Sequence, residues 1–396
     1  MFTFVQTKKM KLERLIKLFT NHKEESLFHR YITNNNIEPL LRRLSQKADI
    51  SLLGSSVRGN SIYAIKIGSG AKRILMWSQM HGNESTTTKA AVDLINTLTQ
   101  SDAEDVREIL KICTICIVPI LNPDGALAYT RVNANGIDLN RDAQNLSQPE
   151  SKILRALFED FKPNFCYNLH GQRTIFSAGN TNKSAILSFL APAQDEICTI
   201  TPNRTIAMEI IAHMNEALQT LIPGHIGVYD DAFNLNCVGD TFQSLNIPTV
   251  LFEAGHHPND YPREETRRYI YISLLGSLHY IASNEITGSE YKSYLNIPEN
   301  EKLFFDIIIR NANLSSNNDI MDVAIQYQET LVNDKIEFIP RVERIEDLTD
   351  FYGHKEFDAR NNRIRAIDNL PLAVGYENDF VIINNEKISL LVKENP

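Results

Sequence analysis

The stretch "MWSQMHGNESTTTKAAVDLI", residues 76–95, decides how the chain is read. An apolar run breaks at His81-Gly82-Asn83-Glu84, and a helix-like pattern follows at once. A polar loop with a good helix start accounts for part of this, since a glutamate in a first helical turn is favoured by the helix dipole. The other reading is half of a metal site. Two ligands three residues apart reach one ion when the backbone turns between them, and Gly82 permits that turn.

Working outward, "SIYAIKIG" (61–68), "RILMWSQM" (73–80), "ICTICIVPI" (112–120), "FCYNLH" (165–170) and "IPTVLFEA" (247–254) read as strands. Helical patterns run through 85–98, 150–160, 204–221 and 263–283. Residues up to about 45 read as helical, with Leu12, Leu15, Ile16 and Leu18 in helical spacing, and 121–148 as a polar loop. Strands alternating with helices predict an α/β fold with a mixed, centrally parallel sheet flanked by helices. The texture changes near 296–309. Beyond it come "LFFDIII" (303–309), "KIEFIP" (335–340), "LAVGY" (372–376) and "FVIINNEKISLLV" (380–392), the last a hairpin around Asn384-Asn385-Glu386. The predicted division is 1–297 for the α/β domain with its N-terminal helical segment and 298–396 for a small, mainly β domain.

A chain of 396 residues suggests about two to three domains. With 43% hydrophobic and 22% charged residues, it has the profile of a soluble globular protein. The net charge of −9 argues against a nucleic-acid partner. No 18-residue apolar stretch predicts a membrane span, and the first residues lack a signal-peptide pattern; Met10 is an alternative start. Five cysteines, an odd number, fit a reducing compartment, so the expected location is cytoplasmic. Cys113 and Cys116 form a CxxC inside an apolar strand and read as two buried small hydrophobes.

His81 and Glu84 have company. "FCYNLHGQ" ends a second strand on His170, and "IPTVLFEAGHH" ends a third on Glu253. Carboxyl ends of strands in an open α/β sheet are where ligands bind. The bland reading of Glu253 is a salt bridge with Arg263 or Arg267. "LNPDGALAYTRVNANGIDLNRD" (121–142) adds Arg131, Asn140 and Arg141, groups suited to holding a carboxylate with geometric specificity.

Together these segments resemble the zinc metallocarboxypeptidase family, typified by carboxypeptidase A. The motifs run in the family's order: His81-Gly-Asn-Glu84, Asn122-Pro-Asp-Gly125, Gly136-Ile-Asp-Leu-Asn-Arg141, His170 and Glu253, within roughly residues 50–285. The resemblance implies one zinc ion held by His81, Glu84 and His170. It implies Glu253 as the general base and Arg131 as the group that stabilises the oxyanion. Asn140 and Arg141 would clamp the substrate's terminal carboxylate. Tyr229 is the match for the family's substrate-capping tyrosine, with Tyr261 as the alternative. Asp142 departs from the asparagine many members carry, which would alter the bracing of the clamp. His256 and His257 are expected at the rim, and Asp240 near the base of the specificity pocket would favour a basic side chain.

The expected function is removal of the C-terminal residue from a peptide, the partner being a peptide or acyl-amino-acid substrate with a free carboxylate. Alternatives are a murein-peptide amidase, an N-acyl amino acid deacylase of the desuccinylase and aspartoacylase kind, and, last, a peptide-binding relative without catalysis.

Overall fold

The computed structural model describes residues 8–314, 319–367, 370 and 372–392. The α/β part contributes strands β1 (Asp49–Ser55), β2 (Ser61–Gly68), β3 (Lys72–Ser78), β4 (Cys113–Val118), β5 (Phe165–Gly171), the short β6 (Ser177–Ala178), β7 (Leu187–Leu190), β8 (Ile226–Val228) and β9 (Thr249–Ala254). All except β6 join one eight-stranded sheet, ordered β1-β2-β4-β3-β5-β9-β7-β8. Its centre, β4-β3-β5-β9, is parallel, while β1 and β2 at one edge and the β7–β9 pair run antiparallel. The expected mixed, centrally parallel sheet is therefore present.

Among the described residues nine α-helices accompany it: α1 (Leu12–His22), α2 (Asn34–Leu44), α3 (Thr86–Gln100), α4 (Glu104–Ile112), α5 (Pro123–Ala128), α6 (Pro149–Phe161), α7 (Pro202–Leu218), α8 (Val238–Ser244) and α9 (Glu264–Ser283). Most of them, α3, α7 and α9 included, bury their apolar residues in one large core on one face of the sheet. On the other face α6 and α8 close a second core around Trp77, where Phe158 stacks on Phe242 at 4.0 Å. Helix α3 is buried along Thr86–Leu98, so its polar residues need partners inside the protein. Lys89 donates to Glu264 and to the Pro262 carbonyl, and Arg267 clasps Asp93 through two bonds of 2.7 Å.

Several expectations need correction. The N-terminal segment is two helices interrupted between residues 22 and 34, where the Glu24 N–H and the Arg30 carbonyl bond to Asp93 and Ser85 at α3 and the Leu27 carbonyl accepts from Arg267 of α9. The loop at 121–148 contains α5, which Asn122 caps by accepting from the Gly125 N–H at 2.8 Å. Strands β1, β7 and β8 and helices α4 and α8 were not anticipated; most are short, and their pattern is set by tertiary burial rather than by period. "LAVGY" is no strand: Val374 and Gly375 form a turn, and Val374 is exposed.

The CxxC cysteines fit their bland reading. Cys113 packs in the first core and Cys116 in the second, so they face opposite sides of β4, and all five cysteines are free. No helix among the described residues is long and apolar enough to cross a membrane.

Beyond residue 298 the described residues form strands. β10 (Asn300–Glu301) pairs with β6, while β11 (Phe304–Asn313), β12 (Ile320–Val332), β13 (Lys335–Glu346) and β14 (Tyr352–Asp358) make a sheet ordered β13-β12-β11-β14. β15 (Ile364–Arg365), β16 (Phe380–Ile383) and β17 (Glu386–Ser389) make a third. The hairpin read around Asn384-Asn385 is present, with both residues at positive φ (48° and 66°), as a two-residue type I′ turn requires. These sheets have a core of their own, which Tyr261 of the α/β part enters.

Candidate active site

The sheet's parallel centre brings the motif residues to one edge. β5 and β9 are in register, with His170 directly opposite Glu253, so the two side chains leave the same face of neighbouring strands. β3 ends beside them, and its chain turns at Gln79 (φ 44°) to present His81.

That turn explains two motifs at once. A Cβ on Gly82 would lie 1.9 Å from the Gly125 carbonyl carbon, so the backbones of His-Gly-Asn-Glu and Asn-Pro-Asp-Gly cross where no side chain fits. A Cβ on Gly125 would likewise lie 2.4 Å from the Asn122 amide nitrogen and 2.7 Å from the Val132 carbonyl oxygen. The Asn122 Nδ2 donates to the Met80 carbonyl and fixes the histidine loop from the other side.

His81 Nδ1 lies 2.9 Å from Glu84 Oε1, His170 Nδ1 lies 3.0 Å from Glu84 Oε2, and the two Nδ1 atoms are 3.1 Å apart. These three residues form the only His/Cys/Asp/Glu group with metal-ligand geometry among the described residues, all donor atoms within 4.8 Å of one another. Tetrahedral zinc with Zn–N bonds of about 2.0–2.1 Å separates two nitrogens by roughly 3.4 Å, so the residues fit the ion. The Gly171 N–H donates to Glu84 Oε2 at 2.9 Å and orients the carboxylate.

Sequence reasoning missed Asp138, although it lies within the quoted Gly-Ile-Asp-Leu-Asn-Arg run. Its Oδ1 is 3.0 Å from His81 Nε2 and also accepts the Asn140 N–H, while Oδ2 accepts from Arg131 Nε at 3.0 Å. A carboxylate behind a ligand histidine fixes its tautomer and raises its basicity. Burial works against charge on His81, yet Glu84 and Asp138 outweigh it and hold its pKa up at about 9. Burial would likewise raise Glu84, but the two imidazoles hold it well below the usual carboxylate range.

Glu253 is buried, and its Oε2 has no protein partner. Burial, then the nearby Glu84 charge, push its pKa well above the usual range. The alternative salt bridge is absent: Arg263 donates to the Ala254 and Gln172 carbonyls, and Arg267 pairs with Asp93 and Glu264.

All eight sequence-derived site residues line one cleft of about 940 Å³, as does Asp240, whose pKa burial lifts to about 6. Asn140 is held by the Val238 N–H, which donates to its Oδ1 at 3.0 Å. Arg141 is exposed and reaches its neighbour's carbonyl (2.7 Å) and Cys237 Sγ (3.1 Å). Arg131 Nη1 stands 3.5 Å from Glu84 Oε1. Asp142 does not brace the clamp; it accepts from Ser147 N, Ser147 Oγ and Gln148 N and shapes the turn before α6. Of the two tyrosines, Tyr261 commits its hydroxyl to Asp306 at 2.9 Å, whereas Tyr229 is half-buried, with its ring edge-on to Phe176. His256 is not at the rim: it is buried between Tyr261 and His354.

Parts of the chain resemble known proteins. Residues 34–147 match the family model described as zinc carboxypeptidase. Carboxypeptidase SOL1 of Arabidopsis thaliana is 28% identical over 163 residues, 36% of this chain and 33% of its own. The match thus spans a third of that relative's length. The metallo-carboxypeptidase from Burkholderia cenocepacia superposes with a TM-score of 0.52 at 18% identity, covering 63% of this chain and 69% of its own. Carboxypeptidase A from Helicoverpa armigera gives 0.50 at 15%, covering 69% and 80%. These two structures share the fold. The family-model match and the relative show that this part of the chain is similar to zinc carboxypeptidases.

Proposed function

We propose that this protein is a zinc carboxypeptidase that hydrolyses the C-terminal peptide bond of a peptide. The observation that best supports the reading is the pairing of His170 and Glu253 in register on adjacent strands, in one cleft with His81, Glu84 and the Asn140–Arg141 pair.

His81, Glu84 and His170 are the ligands, and Asp138 holds His81 in the required tautomer. One zinc ion, when bound, polarises the scissile carbonyl and makes water nucleophilic at neutral pH. Glu253 takes the proton of the attacking water and passes it to the leaving amine. Its burial beside Glu84 raises its proton affinity, which suits a base. Arg131 donates to the carbonyl oxygen as negative charge grows there. Asn140 and Arg141 hold the terminal carboxylate, and Tyr229 closes over the bound residue. Asp240 in the cleft favours a basic side chain at that position, and the free cysteines favour a cytoplasmic location.

Mass spectrometry of a mixed peptide pool that includes murein stem peptides tests this, using zinc-loaded protein and its Glu253→Gln variant. Loss of single C-terminal residues with the unmodified protein alone is the expected result. Loss confined to stem peptides would reassign the substrate to murein, and no loss would overturn the peptidase reading in favour of a small-molecule deacylase.

A further inference from the structure

The cleft does not belong to the α/β sheet alone. Beside the metal-ligand set it is lined by Arg30, from the segment between α1 and α2, and by Gln328, Glu329 and Phe338 of β12 and β13. None of these carries a motif, and the proposed chemistry uses none of them.

The connection is rigid and polar. Arg30 Nη2 lies 2.9 Å from both oxygens of Glu329, and the Tyr129 hydroxyl donates to the same carboxylate. Arg30 is only 6% exposed, so the ion pair is held largely away from water. Thr174 is gripped from the β side twice: Gln326 donates to its hydroxyl at 2.7 Å, and His354 Nε2 lies 2.7 Å from its carbonyl. Phe338 packs edge-on against Tyr261 at 5.1 Å.

Position gives this wall its meaning. The clamp at Asn140 and Arg141 is fixed by α8 and Cys237 and shares no hydrogen bond or ion pair with the β sheet among the described residues. On the carboxypeptidase reading, a substrate held there by its carboxylate presents its scissile bond to His170 and Glu253 and extends its acyl side away from the clamp. Thr174 is four residues beyond His170 in the chain. At about 3.3–3.6 Å per extended residue, Thr174, where the β sheet grips the α/β part, stands no more than roughly 14 Å from the ligand histidine, a span of at most about four extended substrate residues. The cleft volume, near the top of the roughly 300–1,000 Å³ range of small-ligand pockets, agrees with a short occupant.

We propose that the C-terminal β sheet, through Gln328, Glu329 and Phe338 and locked by Arg30, is the acyl-side end wall of the active site and restricts the enzyme to short peptides. This rests on the carboxypeptidase reading and adds a substrate class to it. An open groove would accept any chain with a free C-terminus; this one stops the chain.

The test is a ladder of peptides sharing one C-terminal residue and growing at the amino end from dipeptide to decapeptide. The expected result is a kcat/KM that falls at least tenfold once the acyl side exceeds about four residues. A flat or rising profile overturns the end wall while leaving the carboxypeptidase intact. Absence of turnover at every length overturns the carboxypeptidase reading instead. Binding of the same ladder to the zinc-loaded Glu253→Gln variant then decides the wall: affinity lost with length supports it, and length-independent affinity overturns it. Phe338→Ala, checked for an intact fold by its thermal melt, should raise the long-to-short ratio several-fold; an unchanged ratio in a folded variant removes Phe338 from the wall.

Discussion

His81 and His170 approach each other through like atoms, Nδ1 facing Nδ1 at 3.1 Å. Two neutral imidazoles cannot both donate across such a gap, and Glu84 offers an oxygen to each from the third side. Two imidazole nitrogens and a carboxylate converging in this way are a donor set suited to a cation. Asp138 contacts His81 from behind this set, its Oδ1 3.0 Å from Nε2.

Asp138→Asn should weaken zinc binding by about 10–100-fold, the usual effect of removing a carboxylate that orients a ligand histidine. Zinc retention against a graded series of chelator concentrations measures it. Retention equal to that of the unmodified protein would show that the Asp138 contact does not tune the metal.

Glu253→Gln should lower kcat/KM by roughly 10²–10⁴ while the zinc content stays at one ion per chain, because a general base is lost and a ligand is not. Metal analysis of the purified variant separates the two roles. Loss of zinc would move Glu253 from base to ligand.

Arg141→Ala should raise KM by about 10–100-fold with little change in kcat, as expected when a charge-assisted bond made equally in ground and transition states is removed. Steady-state kinetics on a free-carboxylate substrate reports this split. An unchanged KM would place the clamp elsewhere.

His354 gives a pH signature to the docking of the β sheet. Burial, with Arg263 nearby, lowers its pKa to about 4 against the opposing contact with the Thr174 carbonyl. A histidine kept neutral by folding contributes stability above its unfolded value, near 6.5, and loses it as pH falls toward 4. The full shift corresponds to about 3 kcal/mol. Denaturant titrations at several pH values should show stability declining across that window, and His354→Gln, which keeps a donor for the Thr174 carbonyl, should flatten the decline. An equally steep decline in the variant would acquit His354.

Asp93 and Arg267 hold α3 to α9 with both side chains fully buried. Asp93→Ala removes the fully buried partner of the guanidinium, leaves it Glu264, and should cost up to about 3–5 kcal/mol, read from the denaturation midpoint.

The sheet's parallel centre was legible because β3, β4, β5 and β9 are buried on both faces and so read as continuous apolar runs. The site was legible for a related reason: strand ends, turn glycines and metal-competent side chains occur in short, ordered motifs. What escaped was whatever depends on distant chain. β12 was missed because Gln326 and Gln328 interrupt its apolar pattern, and both are needed where it meets the cleft. Arg30 and Glu329 lie 299 positions apart, and nothing local in either stretch announces the pair. Asp138 sat in plain view and was passed over, since an aspartate in a polar loop carries no signal until His81 is seen against it.

A metal-dependent exopeptidase that recognises a terminal carboxylate should tell a free acid from an amide. The most direct measurement is release of the last residue from one short peptide prepared with a free C-terminal carboxylate and with a C-terminal amide, each with zinc-loaded and chelator-treated protein. The expected result is release from the free acid alone, and only with zinc. Equal cleavage of acid and amide, or cleavage surviving metal removal, would contradict the account.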